Sequence, residues 1–272
     1  TNTKRISGLK IIDLIVKNKT LVGALGLYLD TCEFIKINTK AAILAAGGLT
    51  RIFNRNSASL NMGGDAYALA LRAGAELIDM EFAQFFPIGH LSPRLVGMDP
   101  IMWDPFRYKL GGKLLNGNFD QFIENYGGTD GNKYTVSRDL ASYAIIKEIE
   151  AGRGSPSGGV WLSFKHVSKK ELKKAFGPII DKLLENNIDL TRDNVEVSPI
   201  AHYHMGGIKV NMKMETRIIG LFAAGEAVGG ANGANRLSGN AIPEALVFGN
   251  LAGKYSAQYV SKIKIEKSCF DI

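Results

Sequence analysis

A glycine-rich stretch near the end of the chain has the composition of a ligand-binding loop. Positions 225–240 read GEAVGGANGANRLSGN, and Pro243 follows shortly afterwards. Glycines permit a positive φ and let backbone N–H groups approach a ligand. Pro243 predicts a helix that begins near Ala241, whose free N–H groups favour an anion or a carbonyl-bearing ring. The stretch indicates a phosphate, dinucleotide or flavin site, although a purely structural glycine loop has the same pattern.

Two histidines at alternate positions form a second candidate site. His202 and His204 lie in the sequence His-Tyr-His-Met-Gly-Gly, and on a strand their side chains would point the same way. Such a pair could bind a metal, but no carboxylate or third histidine lies close by in sequence. We therefore predict no metal site, and favour a single binding or packing histidine. His90 has no supporting context and is expected to be structural or exposed.

The first 75 residues contain the elements that would position a site. Apolar segments separated by turns at 17–19 and 30–31 predict a β-meander over the first 45 residues. Residues 41–46 predict a buried strand that ends at Gly47-Gly48. Asp65 is the predicted N-cap of an Ala/Leu-rich helix that ends at Gly74.

The composition and the apolar periodicity change twice in the rest of the chain. Residues 87–132 are rich in Gly, Pro, Asn and aromatics and predict an irregular segment. Helices are expected at 139–151 and at 168–187, the second with a capping box and with Pro178 kinking or splitting it. A short strand is expected at 221–224. The order predicts an α/β layer interrupted by an α+β insertion.

Composition excludes several classes of protein. The 272 residues include 33 Lys and Arg against 26 Asp and Glu, and this formal net charge of +7 comes without a nucleic-acid recognition motif. Cys32 and Cys269 are too few for a disulfide framework or an iron–sulfur cluster within the chain. The sequence has no apolar run of about 18 residues. We expect a cytoplasmic protein, or one peripheral on the cytoplasmic side of the membrane.

Seven motifs follow one another in the chain, and the last two are long and specific. They lie at residues 42–48, 64–66 with 72–75, 79–85, 137–139, 202–208, 220–226 and 233–240. In this order they resemble the flavoprotein subunits of fumarate reductase and succinate dehydrogenase, with L-aspartate oxidase as a relative.

The resemblance implies an FAD-binding domain, Rossmann-like in part, that a substrate-capping domain interrupts. The implied boundaries are residues 1–85 and 201–272 for the FAD-binding domain and 86–200 for the capping domain. Implied flavin-contacting residues are Gly47, Gly48, Asp65, Gly225, Glu226, Asn240, Ala241 and Ile242.

The resemblance also implies a redox reaction on a carboxylate substrate. His202 and Arg236 match residues that bind substrate carboxylates, and Arg suits this task through its bidentate fork. Arg138 matches the proton-transferring arginine, which would protonate one alkene carbon while flavin N5 exchanges hydride with the other. Electrons would pass to or from an iron–sulfur partner subunit. An L-aspartate oxidase-like enzyme, or a flavin-bearing relay or scaffold subunit, remains the alternative.

The chain departs from the family pattern in three places. The Gly-x-Gly-x-x-Gly segment that seats the FAD pyrophosphate is not found, so the chain is expected to start inside the flavin domain. Phe86 replaces a substrate-binding histidine. A Thr-Glu element is replaced within residues 101–112, and we expect a more apolar pocket. Either the substrate differs, or Arg107 and His204 substitute for the lost contacts.

Overall fold

The structure is a computed structural model that describes residues 3–92, 110–128 and 136–263. The chain forms two compact units, each built from separate stretches of sequence. Unit 1 comprises residues 1–52, 58–84 and 203–272, and unit 2 comprises residues 53–57 and 85–202. Helices and strands are mixed throughout, and the fold class is α/β, as predicted.

Strands and helices alternate irregularly along the chain. In chain order the regular elements are β1 (Leu9–Lys17), β2 (Thr20–Tyr28), β3 (Phe34–Asn38), β4 (Ala42–Leu44), α1 (Asp65–Arg72), β5 (Leu77–Ile78), β6 (Ala83–Ser92), β7 (Lys113–Leu115), α2 (Arg138–Glu150), β8 (Val160–Ser163), α3 (Lys169–Phe176), α4 (Ile179–Glu185), β9 (Val195–His204), β10 (Gly207–Ile208), β11 (Leu221–Ala223) and α5 (Ala241–Lys262).

Unit 1 opens with the predicted meander. Strand β2 pairs antiparallel with β1 on one side and with β3 on the other. The β1–β2 connection consists of Asn18 and Lys19, whose φ values of 50° and 60° are the left-handed values that a tight hairpin turn of type I′ requires. Both the meander and the turn at 17–19 are confirmed.

A parallel strand pair follows the meander in unit 1. Strand β4 lies beside β11, with Ala42 opposite Leu221. Both predicted strands, at 41–46 and at 221–224, are therefore confirmed in shortened form. Because the two strands are parallel, the loops that follow them leave from the same edge.

Helix α1 begins differently from the prediction and ends as predicted. Gly64, with φ 84°, is the N-cap, and Asp65 is the first helical residue without a side-chain capping bond. The predicted Asp65 cap is therefore wrong, although a carboxylate in the first turn still suits the helix dipole. At the other end Ala75 N–H donates to the Ala70 carbonyl and Gly74, with φ 92°, follows the C-cap, which is a Schellman ending.

Unit 2 is built around a four-stranded sheet in the order β6-β9-β8-β7. Strand β6 runs through Pro87 to Ser92, so the prediction of an irregular segment from residue 87 is wrong for its first part. Strand β6 is the outermost strand of this sheet, and an edge position tolerates the missing N–H of a proline. The described residues 116–128, between β7 and α2, contain turns and one short 3-10 helix (Ile123–Tyr126), as the irregular interpretation predicted. Residues 93–109 and 129–135 of the predicted segment and its flank lie outside the described part.

Helices pack against the sheet of unit 2. Helix α2 buries Ala144, Ile145 and the carboxylate of Glu148. Helix α3 starts with the predicted capping box, in which Ser168 and Glu171 each bond the other's backbone N–H. The helix predicted over 168–187 is split at Gly177-Pro178, as the sequence indicated.

Helix α5 ends unit 1 and is unusually exposed. Of its 22 residues only Ala252 is buried. Large apolar side chains near its start are open to solvent, with Ile242 71% and Leu246 70% exposed. Within the described residues, no helix combines the length and apolar character that crossing a membrane requires.

Candidate functional site

The loops that follow β4 and β11 meet around Glu226 in unit 1. A Cβ added to Gly48 would lie 2.5 Å from Glu226 Oε1, so only glycine allows this approach of backbone to carboxylate. The same oxygen accepts the backbone N–H of His204 at 3.0 Å. The Tyr67 hydroxyl donates to the Glu226 carbonyl at 2.9 Å and fixes the loop. Ligands of open parallel sheets bind outside this edge.

Burial gives the Glu226 carboxyl unusual acid–base behaviour. Burial raises the pKa of Glu226 from 4.5 to about 7, although the hydrogen bond from the His204 N–H and the charge of Arg236 each lower this pKa. Near neutral pH the carboxyl therefore exchanges between a form that only accepts hydrogen bonds and one that also donates. Either form can bond a ribose or ribityl hydroxyl.

We expect the stability of the chain to fall as the pH rises from about 4.5 to 7. In this range the unfolded Glu226 ionises while the folded one stays protonated, so the unfolded state is favoured by up to about 3 kcal/mol. Glu226→Gln should remove this component from urea unfolding curves measured across the range. Glu81→Gln, at an exposed position of unit 1, is the matched control and should leave the pH dependence unchanged. Identical slopes for the wild type and Glu226→Gln would contradict the assignment.

The start of helix α5 offers unpaired backbone donors. Within the described part of the chain, the N–H groups of Ala241 and Ile242 have no hydrogen-bond partner, and Pro243 has no N–H. Asn240 is the N-cap but makes no side-chain capping bond. No described atom lies within 4 Å of the Cβ position of Gly239, so open space adjoins the loop before the helix. These donors and this space suit a carbonyl-bearing ring.

Arg236 is held in one conformation by its neighbours in unit 1. Its Nη2 donates to Gln84 Oε1 at 3.1 Å, and Gln84 Nε2 donates back to the Arg236 carbonyl at 2.7 Å. The guanidinium lies 4.3 Å from the ring centroid of Tyr203, whose hydroxyl donates to Glu244 at 2.6 Å. Arg236 is buried, and its Nε has no partner among the described residues.

No role was predicted for Gln84, Tyr203 or Glu244, which hold Arg236. Gln84 and Tyr203 lie within motifs that carry the family resemblance, and Glu244 lies in the first turn of α5. Their positions in these motifs and at the start of α5 were the features of the sequence that could have indicated a role.

His204 uses its ring within the fold. Its Nδ1 lies 2.8 Å from the Gly206 carbonyl and its Nε2 lies 3.2 Å from the Met80 carbonyl. This favours a structural role over the predicted substitution for a lost substrate contact. The described residues contain no group of three or more His, Cys, Asp or Glu that could hold a metal ion. Asp65 forms no hydrogen bond or ion pair with the described residues around Glu226. It is exposed, and its Oδ1 lies 3.9 Å from Lys10 Nζ.

Unit 2 brings together two of the predicted substrate-site residues. The rings of His202 and Phe86 are 5.8 Å apart, and the Arg138 guanidinium lies 5.0 Å from the Phe86 ring centroid. His202 Nδ1 is hydrogen-bonded to Ser57 Oγ at 2.9 Å. Arg138 is the first residue of α2, where a cation opposes the helix dipole at a small cost.

The predicted sites are distributed over both units. Arg138 and His202 lie in unit 2, whereas Arg236, His204 and the predicted flavin-contacting residues lie in unit 1. Residues 101–109 of the replaced Thr-Glu element, Arg107 among them, lie outside the described residues.

Comparison with known proteins identifies the class of this site. The model of the FAD binding domain family matches residues 3–242. The chain therefore belongs to the FAD binding domain family, and the recognition made from its motifs is confirmed.

Relatives and solved structures place the chain more closely within the family. It is 41% identical over 250 residues to an uncharacterized FAD-dependent oxidoreductase of Methanocaldococcus jannaschii, covering 92% of this chain and 44% of that protein. It is 34% identical over 263 residues to the fumarate reductase flavoprotein of Escherichia coli, covering 91% of this chain and 42% of that protein. An L-aspartate oxidase of Clostridium perfringens is 30% identical.

The fold agrees with a solved fumarate reductase. The Escherichia coli quinol fumarate reductase matches with a TM-score of 0.83 at 29% identity, covering 96% of this chain and 46% of that chain. The chain thus spans slightly less than half the length of these relatives.

The residues present fit FAD, the cofactor of this family. Gly48 lets the backbone pass close to the Glu226 carboxyl, and the Ala241 and Ile242 N–H groups have no partner among the described residues and suit a flavin carbonyl. Glu226 supplies a carboxyl for a sugar-type hydroxyl. None of the described contacts of the predicted flavin-contacting residues in unit 1 excludes this cofactor.

Proposed function

We propose that this chain is part of an FAD-dependent oxidoreductase of the fumarate reductase and succinate dehydrogenase type. It would interconvert an alkene dicarboxylate and its saturated product and exchange electrons with an iron–sulfur partner. The observation that carries this proposal is the buried guanidinium of Arg236, which Gln84 and Tyr203 hold in one orientation beside a family-typical flavin loop. A peripheral position at a membrane, through partners, belongs to the same proposal.

Each polar residue has a defined task in this proposal. Arg236 and His202 bind substrate carboxylates, and the preset orientation of Arg236 limits the entropy lost on binding. Bound FAD supplies the electron pair that one alkene carbon takes up as hydride. Arg138 holds the proton that the neighbouring carbon receives, and solvent then reprotonates the guanidine. Phe86 contributes an apolar surface beside Arg138 and His202 that keeps water away from the transfer.

Substitution of Arg236 tests the carboxylate-binding role. In the flavin-loaded protein, Arg236→Lys should raise the KM for fumarate about 10- to 100-fold, because a charged bidentate contact is lost while a charge remains. Flavin content, read from absorbance near 450 nm, should not change. Arg217→Lys, an exposed arginine paired with Glu76, is the control and should leave KM unaltered.

The same assay decides between the candidate activities. Turnover of fumarate or succinate that depends on Arg236 supports the proposal. Turnover of L-aspartate but of neither dicarboxylate would replace it with the oxidase alternative. Flavin bands without turnover of any of the three would leave an electron relay as the function and reject the catalytic role.

A further inference from the structure

A cavity of about 260 Å³ lies wholly within unit 2 and contains none of the residues assigned above. It is lined by Asn54, Arg55, His90, Leu91, Ser198 and Ile200, together with the backbone of Gly89. Residues 89–91 of β6 and residues 198 and 200 of β9 form one part of the wall, and Asn54 and Arg55 form the other. A volume near 260 Å³ holds several waters or a small organic molecule, and is below the range of drug-sized ligands.

The cavity carries a positive charge that no described carboxylate neutralises. Arg55 Nη1 donates to the Gly158 carbonyl at 3.2 Å and to Ser198 Oγ. These two bonds fix the guanidinium but use only one of its nitrogens. Within the described residues, Arg55 forms no ion pair, and its Nε and Nη2 donors remain available. No Asp or Glu among the described residues lines the cavity.

The cavity wall is polar where it is most buried. His90 and Ser198 are each 1% exposed, although buried polar side chains are costly unless a partner satisfies them. The burial of His90 agrees with the structural alternative of the sequence interpretation. A Cβ at Gly89 would be 2.9 Å from the Ser198 carbonyl, so β6 and β9 are packed closely here.

We propose that this cavity binds a small organic carboxylate. A carboxylate supplies two acceptor oxygens to the planar Arg55 fork, and its charge compensates the guanidinium. The Ser198 hydroxyl and the exposed amide of Asn54 offer further hydrogen-bonding groups, while Leu91 and Ile200 accept a short carbon skeleton. This site is independent of the redox chemistry and does not rest on the proposed function.

Calorimetric titration of the full chain with malonate tests the site. All titrations use the Arg236→Lys background, so that binding at Arg236 does not dominate the signal. Malonate should bind saturably, and malonamide, its neutral analogue, should not. Asn54→Asp keeps the size of an exposed lining residue but adds a negative charge, and should weaken malonate binding about tenfold or more. Arg55→Gln should abolish binding.

Matched controls separate loss of binding from loss of fold. Asn187→Asp adds the same charge at an exposed position of unit 2 that does not line the cavity, and its left-handed φ of 60° is one that Asp tolerates. Binding in this variant should be unchanged. Equal malonate affinity in Asn54→Asp and Asn187→Asp would overturn the proposal, as would the absence of saturable binding. Binding of inorganic phosphate without binding of malonate would overturn the carboxylate assignment.

Discussion

Replacing Arg138 by glutamine is expected to lower the turnover number for fumarate reduction by two to four orders of magnitude in the flavin-loaded protein. This is the usual contribution of a positioned proton donor. Glutamine keeps hydrogen-bonding capacity and much of the size but cannot release a proton. The KM for fumarate should change much less than kcat, because carboxylate binding is assigned to His202 and Arg236. Stopped-flow reoxidation of the reduced flavin by fumarate measures the step directly.

Two companion variants sharpen this result. Phe86→Leu removes the ring that lies 5.0 Å from the guanidinium and should lower kcat less than Arg138→Gln, because the donor remains but is less well held. Arg192→Gln, at an arginine whose side chain is 84% exposed in the same unit, should have no effect. A kcat for Arg138→Gln within threefold of the wild type would remove Arg138 from the mechanism.

Replacing Glu148 by alanine is expected to destabilise the protein by about 2–3 kcal/mol, because Arg153, Tyr126 and Asn116 lose the charged acceptor of their hydrogen bonds. The Glu148 carboxylate is buried in unit 2 and accepts from Arg153 Nε and Nη2, both at 2.8 Å. It also accepts from the Tyr126 hydroxyl at 2.7 Å and from Asn116 Nδ2 at 3.0 Å. Guanidinium unfolding monitored by circular dichroism gives the free energy of unfolding.

The same carboxylate predicts a pH dependence of stability. The hydrogen bonds from Arg153 are the main cause that lowers the pKa of Glu148 from 4.5 to about 2. Because the folded pKa is the lower one, this stabilisation is complete above pH 4.5 and is lost as the pH falls from 4.5 towards 2. It amounts to about 3 kcal/mol.

Glu150, on the same helix, provides the control for both measurements. Its side chain is 57% exposed and pairs only with Lys147 among the described residues, so Glu150→Ala should change stability by less than about 0.5 kcal/mol. Glu148→Gln should remove the acid-sensitive component while leaving most of the packing. If Glu148→Ala and Glu150→Ala destabilised the chain equally, the network would have no special role.

Features encoded in neighbouring residues were predictable from the sequence. The meander, its turn at Asn18 and Lys19, and the Ser168 capping box depend on residues a few positions apart. The start of α5 near Ala241 was also correct, because glycine, asparagine and proline mark it locally. The error at Asp65 was one position, since a left-handed Gly64 serves as the cap instead.

Features that depend on distant residues were not predictable. Glu148 reads as an ordinary surface residue of a helix, and its burial follows from Asn116 and Tyr126, more than twenty positions away. Gln84 and Arg236 are separated by 152 positions, so nothing local indicates that each fixes the other. Pro87 suggested a break, and only the edge position of β6 explains why the strand continues.

The parallel pairing of β4 with β11 also sets an order of events during synthesis. Ala42 and Leu221 are roughly 180 positions apart, so closing this loop carries a large entropy cost. At ribosomal rates, β11 emerges roughly 10–40 s after β4. All of unit 2 is made within that interval. The nascent chain can therefore complete unit 2 before β4 can pair with β11. A chaperone that protects β4 would act in that interval.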